Sequence, residues 1–365
     1  VTGRAAARAQ LDAGEAAITA GAIDAGLECL RRAAAEAHAC GDLELKALAL
    51  LALGDALAHA ARGRDEEASA ALHEAVALAE RLGRRDLIAR ADQHLAYVDA
   101  LRARYDRALG RIAAAEAESG HDPWFISFGR GACAYQRGRY ADGLAHLQQA
   151  LDSAPDPRAR AVILGEIGAV HTMREETDAA VQALERSLGF ARRASWTSFV
   201  PFPEALLAIA ELRRGELDVA RERLEHAFAL GCQIRDCCWE GISAAGLALL
   251  DEATGDLAGA RERFEDASQR SAREPDAWLW GHAFTVDLKC AFGVRSDVER
   301  AGAWVADLES LASRTMMREF LARAYVYRAA LGDGVALEAA KIVADEVDNP
   351  VLAGAIATPA SLVRA

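Results

Sequence analysis

The sequence repeats one local pattern about every 40 residues, and this repeat constrains the fold more than any other feature. Five residues after each of nine turns, eight copies carry glycine or alanine, and four residues later all nine carry a larger apolar residue, as in Ala220 and Leu224. The last copy departs from the pattern, with Glu338 at the small position and Ile342 at the apolar one. A small residue lets two helices approach closely and the larger one fills the space behind it, so the pattern predicts packed helix pairs. The turn positions, spaced by 35 to 42 residues, are Gly21, Gly63, Ala103, Gly138, Glu175, Gly215, Gly255, Ser296 and Asp333.

The composition favours helices along the whole chain. Alanine accounts for 86 of the 365 residues, arginine for 39 of the 42 basic residues, and aromatic residues for only 6%. Alanine and arginine favour helices, whereas aromatic and β-branched residues favour strands. Between the turns, apolar residues recur at spacings of three and four, which is typical of amphipathic helices. The sequence therefore predicts an all-α fold.

Charge and hydropathy exclude several partners. The formal net charge is −13 and no run of five or more basic residues occurs, so we do not expect direct binding of nucleic acid. No stretch of 18 apolar residues and no signal peptide is visible, and the acidity disfavours anionic membrane surfaces. Seven cysteines, an odd number, indicate free thiols in a reducing compartment. We therefore predict a cytoplasmic protein without membrane contact.

Three segments carry a recognisable motif. Tyr135–Ala150 resembles the second half of a tetratricopeptide repeat, and Leu212–Leu224 and Thr254–Phe264 are similar to it. The period here is longer than the roughly 34 residues of that repeat, which indicates longer helices. The resemblance implies a right-handed superhelical solenoid of about nine antiparallel helix pairs over residues 1–348, with a C-terminal cap or tail at 349–365.

The long, alanine-rich copies also resemble the helical sensor regions of large ATP-dependent LuxR-type transcriptional regulators and of the related antibiotic regulatory proteins of actinobacteria. This resemblance implies a regulatory role. The ATPase is not expected in this chain, because none of its three lysines follows a glycine-rich phosphate loop, and no DNA-reading helix-turn-helix is recognisable after Pro350. The start at Val1, directly in a helical pattern, fits both a fragment of a longer protein and a GTG start codon.

No catalytic or metal-binding constellation stands out in the sequence. The segment from Gly241 begins like a nucleophile elbow, but it lacks the last glycine and lies in a helical pattern. Cys232, Cys237 and Cys238 form the densest cysteine group, yet no second pair accompanies them, so we interpret them as small buried residues. The nine histidines are scattered singly. We therefore predict a non-enzymatic chain with no cofactor and no metal.

Aromatic residues cluster where three of the first helices begin, and these clusters indicate a binding surface. Aromatic anchors with a few polar groups are typical of a ligand or peptide groove. The alternative interpretation is that these residues pack between repeats, because alanine-rich helices need bulk. The first helices of a tetratricopeptide array line its concave face, and counting from the turns predicts as inward residues Arg90, Gln93, His94, Tyr97, Phe125, Phe128, Tyr135, Gln136, Thr172, Phe202 and Arg213.

Two functions compete, and the shape of the concave face distinguishes them. The first is an interaction module that binds a protein or peptide segment in an open groove. The second is a sensor domain for a small-molecule effector, which would shift the superhelix between two curvatures. A closed aromatic pocket between Tyr97 and Phe128 would favour the small molecule, whereas a continuous groove would favour a peptide.

Overall fold

The computed structural model describes residues 3–60, 63–118, 121–274 and 277–359. This part of the chain contains nineteen α-helices and a short 3-10 turn at Thr197–Phe199, and it contains no strand. Eighteen helices form nine consecutive pairs, and the last helix, α19 (Pro350–Ala357), follows the ninth pair. None of the described helices is both long and apolar enough to cross a membrane. The predicted all-α solenoid of nine antiparallel helix pairs is confirmed.

The first helix of each pair lies towards the inside of the solenoid and the second towards the outside. Several first helices are buried on nearly all faces, whereas second helices bury one stripe and expose the rest. The first helices are α1 (Gly3–Thr19), α3 (Leu43–His59), α5 (Arg85–Leu101), α7 (Pro123–Gln136), α9 (Pro157–Met173), α11 (Pro201–Arg213), α13 (Cys237–Thr254), α15 (Leu279–Ser296) and α17 (Arg318–Ala330). The second helices are α2 (Ile23–Ala39), α4 (Asp65–Leu82), α6 (Tyr105–Ala117), α8 (Tyr140–Asp152), α10 (Thr177–Arg193), α12 (Leu217–Ile234), α14 (Leu257–Ser271), α16 (Val298–Ser313) and α18 (Ala336–Ala344).

The turns and the helix contacts follow the predicted register. The small residues of the second helices are buried at these contacts, and Ala220 and Ala260 have no exposed surface. The first helices contribute small residues too, because a Cβ on Gly168 would lie 2.4 Å from the side chain of Leu184. Seven of the nine predicted turn positions adopt the left-handed backbone conformation that ends a helix, namely Gly21, Gly63, Ala103, Gly138, Glu175, Gly215 and Gly255.

The ninth pair differs from the prediction. Its left-handed residue is Gly332, one position before the expected Asp333, and α18 has only nine residues. The short helix turns Ala336 and Ala340 towards the core, since residues four apart share one face. Ile342 lies on the other side and is 76% exposed, so its predicted place in the core is wrong.

The superhelix winds tightly enough for distant pairs to touch. Ser198 Oγ, in the connection before α11, donates a hydrogen bond to the carbonyl oxygen of Ile18 in α1 at 3.3 Å. Asn349 Nδ2, after the last pair, donates to the carbonyl oxygen of Met173 in α9 at 3.0 Å. These contacts close the interior, and the inner faces of α9, α11, α13 and α15 are mostly packed rather than open to an uninterrupted groove.

The C-terminal segment packs against the solenoid over its described part. The carboxylate of Asp348 accepts hydrogen bonds from the backbone nitrogens of Tyr140 and Ala141, where α8 begins, at 2.5 and 2.8 Å. Helix α19 packs against α17 and α18 and buries Leu352. Residues 360–365 of the predicted cap or tail lie outside the described residues, as does Val1.

Candidate functional site

Two cavities of similar size lie inside the described part of the solenoid. The first, which we call the N-terminal cavity, has a volume of about 310 Å³. The cavity is enclosed by side chains of α1, α3, α5, α7 and α9, by the connection before α11, and by Trp239 of α13. Close winding thus turns part of the predicted concave face into a pocket. Five predicted site residues line this pocket: Arg90, Gln93, His94, Phe125 and Phe128.

Aromatic side chains form much of the apolar surface of the N-terminal cavity. Phe125 contacts Trp124 and Phe128 edge to face, with ring centroids 5.2 and 5.9 Å apart. In the connection before α11, Trp196 stacks on Phe199 with centroids 4.5 Å apart. Because the rings hold one another in place, they offer a rigid surface for an apolar or aromatic ligand.

Two arginines on the N-terminal cavity make no ion pair within the described part of the chain. Arg90 is exposed on α5, and the guanidinium of Arg158 lies 4.5 Å from the ring centroid of Trp196. Guanidinium groups form strong, often bidentate hydrogen bonds with carboxylates and phosphates. The arrangement therefore favours a ligand with an anionic group.

Folding also brings one carboxylate and two histidines together in the wall of this cavity. His94 Nδ1 lies 3.3 Å and His59 Nε2 lies 3.4 Å from Oδ1 of Asp55. The Asp55 side chain is 47% accessible because it faces the cavity. Tyr97 stacks on the His59 ring with centroids 3.9 Å apart, so this predicted site residue supports the wall from behind.

Burial and charge act in opposite directions on these groups. Burial would raise the pKa of Asp55, but His94, His59, Arg158 and Arg90 together outweigh it and leave the pKa below its ordinary value. Burial lowers the pKa of His94, and the nearby carboxylate of Asp55 only partly offsets this. At neutral pH, Asp55 is therefore ionised and His94 is neutral.

The second cavity, which we call the C-terminal cavity, has a volume of about 400 Å³ and lies between α9, α11, α13, α15 and α17. It contains the predicted site residues Thr172 and Arg213, which are bonded to each other: Arg213 Nη1 donates to the carbonyl oxygen of Thr172 at 2.9 Å. The structure therefore separates these two residues from the other predicted site residues.

Four other charged side chains that line the C-terminal cavity make ion pairs, namely Glu252, Asp287, Arg295 and Arg323. Arg295 makes two hydrogen bonds to the carboxylate of Glu252, at 3.0 and 2.7 Å. Arg323 lies 2.7 Å from the carboxylate of Glu319 and 3.5 Å from that of Asp287. Because these donors and acceptors satisfy each other, the network stabilises the helix contacts and leaves little for a ligand to recognise.

Three predicted site residues belong to the core that fills the superhelix. The hydroxyl of Tyr135 donates to Glu166, its ring packs edge to face on Trp280, and Gln136 Nε2 donates to the Tyr135 hydroxyl at 3.3 Å. Phe202 is 1% exposed and stacks on Trp239. These residues point inwards, but they line neither of the two cavities, because other side chains pack around them; the prediction that they form a binding surface therefore differs from the structure.

Sequence reasoning missed several residues of the N-terminal cavity, notably Asp55, His59, Arg158 and Trp239. Asp55 and His59 stand four residues apart at the end of the most apolar run of the chain. These two polar residues on one face of a largely apolar helix were the only local sign of a polar site. Nothing local links them to His94 or Arg158, which come from other repeats.

The fold and cavities define a superhelical repeat protein with ligand-sized space inside it. The tetratricopeptide-repeat family profile matches residues 126–193, and the chain is a tetratricopeptide-type helical solenoid. No curated protein matches the sequence at a significant level.

Three solved structures are similar to the chain at low identity. A Rap protein complexed with competence and sporulation factor has a TM-score of 0.64 at 14% identity, and the alignment covers 87% of this chain and 93% of that one. A signal transduction ATPase with numerous domains and a tetratricopeptide repeat sensor, from Pyrococcus horikoshii, has a TM-score of 0.48 at 14% identity, covering 89% and 55%. Aspartyl phosphate phosphatase F from Bacillus subtilis has a TM-score of 0.47 at 10% identity, covering 100% and 88%.

Proposed function

We propose that this chain is a non-enzymatic sensor module of a bacterial transcriptional regulator, and that it binds a compact ligand in the N-terminal cavity. The regulatory role rests on the resemblance to the helical sensor regions of LuxR-type regulators, which act in the cytoplasm. The ligand shifts the winding of the superhelix, because residues of six first helices and the connection before α11 surround the cavity and would close on it together.

The observation that carries this proposal is the combination of an aromatic enclosure with two arginines that make no ion pair among the described residues. A volume of about 310 Å³ lies at the lower end of the range for small-molecule sites. Trp124 and Phe125 would contact an apolar or aromatic body, while Arg90 and Arg158 would bind an anionic group. The expected ligand is a small carboxylate or phosphate with an apolar portion.

A peptide ligand is the second candidate. The similar Rap protein was solved in complex with competence and sporulation factor, and the likeness to that structure is a likeness of fold. Among the described residues, the packed interior leaves no continuous groove for a long extended segment. The peptide candidate is therefore a short chain end whose terminal carboxylate meets Arg90 and Arg158.

A thermal-shift screen tests the proposal. The purified chain is scanned against small aromatic and aliphatic carboxylates, phosphates and short peptides, and the compounds that raise Tm are then titrated calorimetrically. Arg158→Ala should weaken their binding about tenfold or more, since a hydrogen bond to a charged group contributes about 1.5–3 kcal/mol. Arg221→Ala, an exposed arginine on the outer helix α12, is the matched control and should bind as the wild type does.

The outcomes separate the candidates. Stabilisation by small anions that depends on Arg158 supports the sensor. Stabilisation by long peptides alone, unaffected by Arg158→Ala, would instead support a protein-binding surface elsewhere on the solenoid. Turnover of any stabilising compound by the purified chain would contradict the non-enzymatic assignment.

A further inference from the structure

We propose that Asp55, His59 and His94 bind a divalent transition-metal ion in the wall of the N-terminal cavity. Asp55 and His59 stand one turn apart on α3, and His94 comes from the neighbouring inner helix α5. One ligand atom from each residue lies within 4.8 Å of the other two.

The distances fit shared metal coordination better than hydrogen bonding. The two nitrogen–oxygen distances of 3.3 and 3.4 Å are longer than the roughly 2.7–3.2 Å of a good hydrogen bond. They match the edge of a tetrahedron whose centre is about 2.0–2.1 Å from each corner, which is about 3.3–3.4 Å and corresponds to ordinary zinc bonds to imidazole and carboxylate. Because the two imidazole nitrogens lie up to 4.8 Å apart, they would have to approach each other by as much as about 1.5 Å to complete the site.

The donor set selects the class of metal. Two imidazole nitrogens and one carboxylate are typical of Zn²⁺ and of Fe²⁺ or Ni²⁺ sites, whereas Mg²⁺ and Ca²⁺ require mostly oxygen ligands. Neighbouring rings hold the imidazoles in position: Tyr97 stacks on His59, and Phe125 packs edge to face on His94 with centroids 5.6 Å apart. Ligands oriented in this way bind a metal with little loss of side-chain freedom.

Charged groups of both signs surround the three proposed ligands. Arg90 and Arg158 favour the charged form of Asp55, whereas the carboxylate of Asp122 favours the charged form of His94.

A metal held by three protein ligands keeps at least one coordination position open. All three ligands line the N-terminal cavity, so this position is open to a ligand bound there. The proposed anionic effector would then have an oxygen, nitrogen or sulfur atom on the metal. This last step rests on the proposed function, whereas metal binding does not.

The test is a calorimetric titration of the chelator-treated full chain with Zn²⁺ alone. We expect one strong site per chain, and at least tenfold weaker binding after His94→Ala or His59→Ala. His73→Ala is the matched control, because His73 is exposed on the outer helix α4, and it should leave the affinity unchanged. Unchanged affinity in both cavity variants, or no strong site in the wild type, would overturn the proposal.

X-ray absorption of the Zn²⁺-loaded wild type gives a second readout that needs no variant. A shell of nitrogen and oxygen with imidazole scattering supports the site, and a shell containing sulfur would place the metal on cysteines and overturn it. If Zn²⁺ binds as proposed but the effector also binds to the chelator-treated chain, only the coordination step is refuted. If Zn²⁺ binds as proposed but none of the screened compounds stabilises or binds to the chain, the proposed function is refuted and the metal site stands.

Discussion

The two interior cavities are similar in size but differ in how their polar groups are used. In the C-terminal cavity, Arg295 pairs with Glu252 of the neighbouring helix α13, and Arg323 pairs with Glu319 of its own helix and Asp287 of α15. In the N-terminal cavity, Arg90 and Arg158 make no ion pair among the described residues, and aromatic rings form much of the wall. Volume alone therefore does not identify a binding site in this solenoid.

The difference shows that a polar group inside a superhelix can serve two purposes. Where winding brings opposite charges together, they satisfy one another and hold repeats at a fixed angle. Where it brings cations against aromatic faces, their hydrogen-bonding capacity remains available to a ligand. The following changes test whether the two cavities differ in this way.

The largest effect is expected from Arg323. Arg323→Leu leaves Glu319 and Asp287 buried without their cation, which should lower the free energy of unfolding by about 3–5 kcal/mol in urea denaturation. The matched change Arg158→Leu breaks no ion pair among the described residues and removes the cation–π contact with Trp196, which contributes about 0.5–1 kcal/mol. Equal losses would show that the two cavities do not differ in structural role.

The next largest loss of unfolding free energy is expected from a change at the contact between α13 and α14, because α13 lines both cavities. Helix α13 contributes Trp239 to one cavity and Leu249 to the other, and Ala260 of α14 packs against it with no exposed surface. Ala260→Leu should overpack this contact and cost about 1–3 kcal/mol of unfolding free energy. The exposed Glu262→Ala should cost less than about 0.5 kcal/mol, and similar urea midpoints for the two variants would refute the register.

Tyr135 lies in the packed core rather than on a binding surface, and its hydroxyl can be tested separately. Tyr135→Phe removes a donor from the buried carboxylate of Glu166 and should cost about 1–2 kcal/mol while leaving ligand-induced Tm shifts intact. Tyr325→Phe, a half-buried tyrosine on α17, should change stability by no more than about 0.5 kcal/mol. If Tyr135→Phe abolishes the ligand-induced Tm shifts without lowering the free energy of unfolding, Tyr135 belongs to the binding surface after all.

The smallest effect is expected from Thr172. Its hydroxyl bonds only to the carbonyl oxygen of Gly168 in its own helix, at 2.8 Å, so Thr172→Val should cost less than about 1 kcal/mol. Ligands that stabilise the wild type should shift the Tm of this variant equally. A selective loss of their effect would mean that the C-terminal cavity takes part in binding.

The helix pairs and their register could be predicted because the forces that set them are local. A turn, a small residue such as Ala220 five positions later and Leu224 one turn beyond it all act within one helix pair. Close approach of two helices demands the small residue at that position wherever the pair stands in the chain. The prediction was wrong for Ile342, where the turn moved to Gly332 and the helix became too short to keep the register.

The site depended on tertiary structure, because each repeat adds a small rotation and only the accumulated winding decides which repeats meet. Ser198 contacts Ile18 across 180 residues, and no local pattern encodes that contact. The same winding buried Tyr135 in the core and placed Arg158 beside the cavity. The spacing within one helix predicts which side chains point towards the inside of the superhelix. Whether such a side chain lies in the core or lines a cavity depends on which other repeats pack against it.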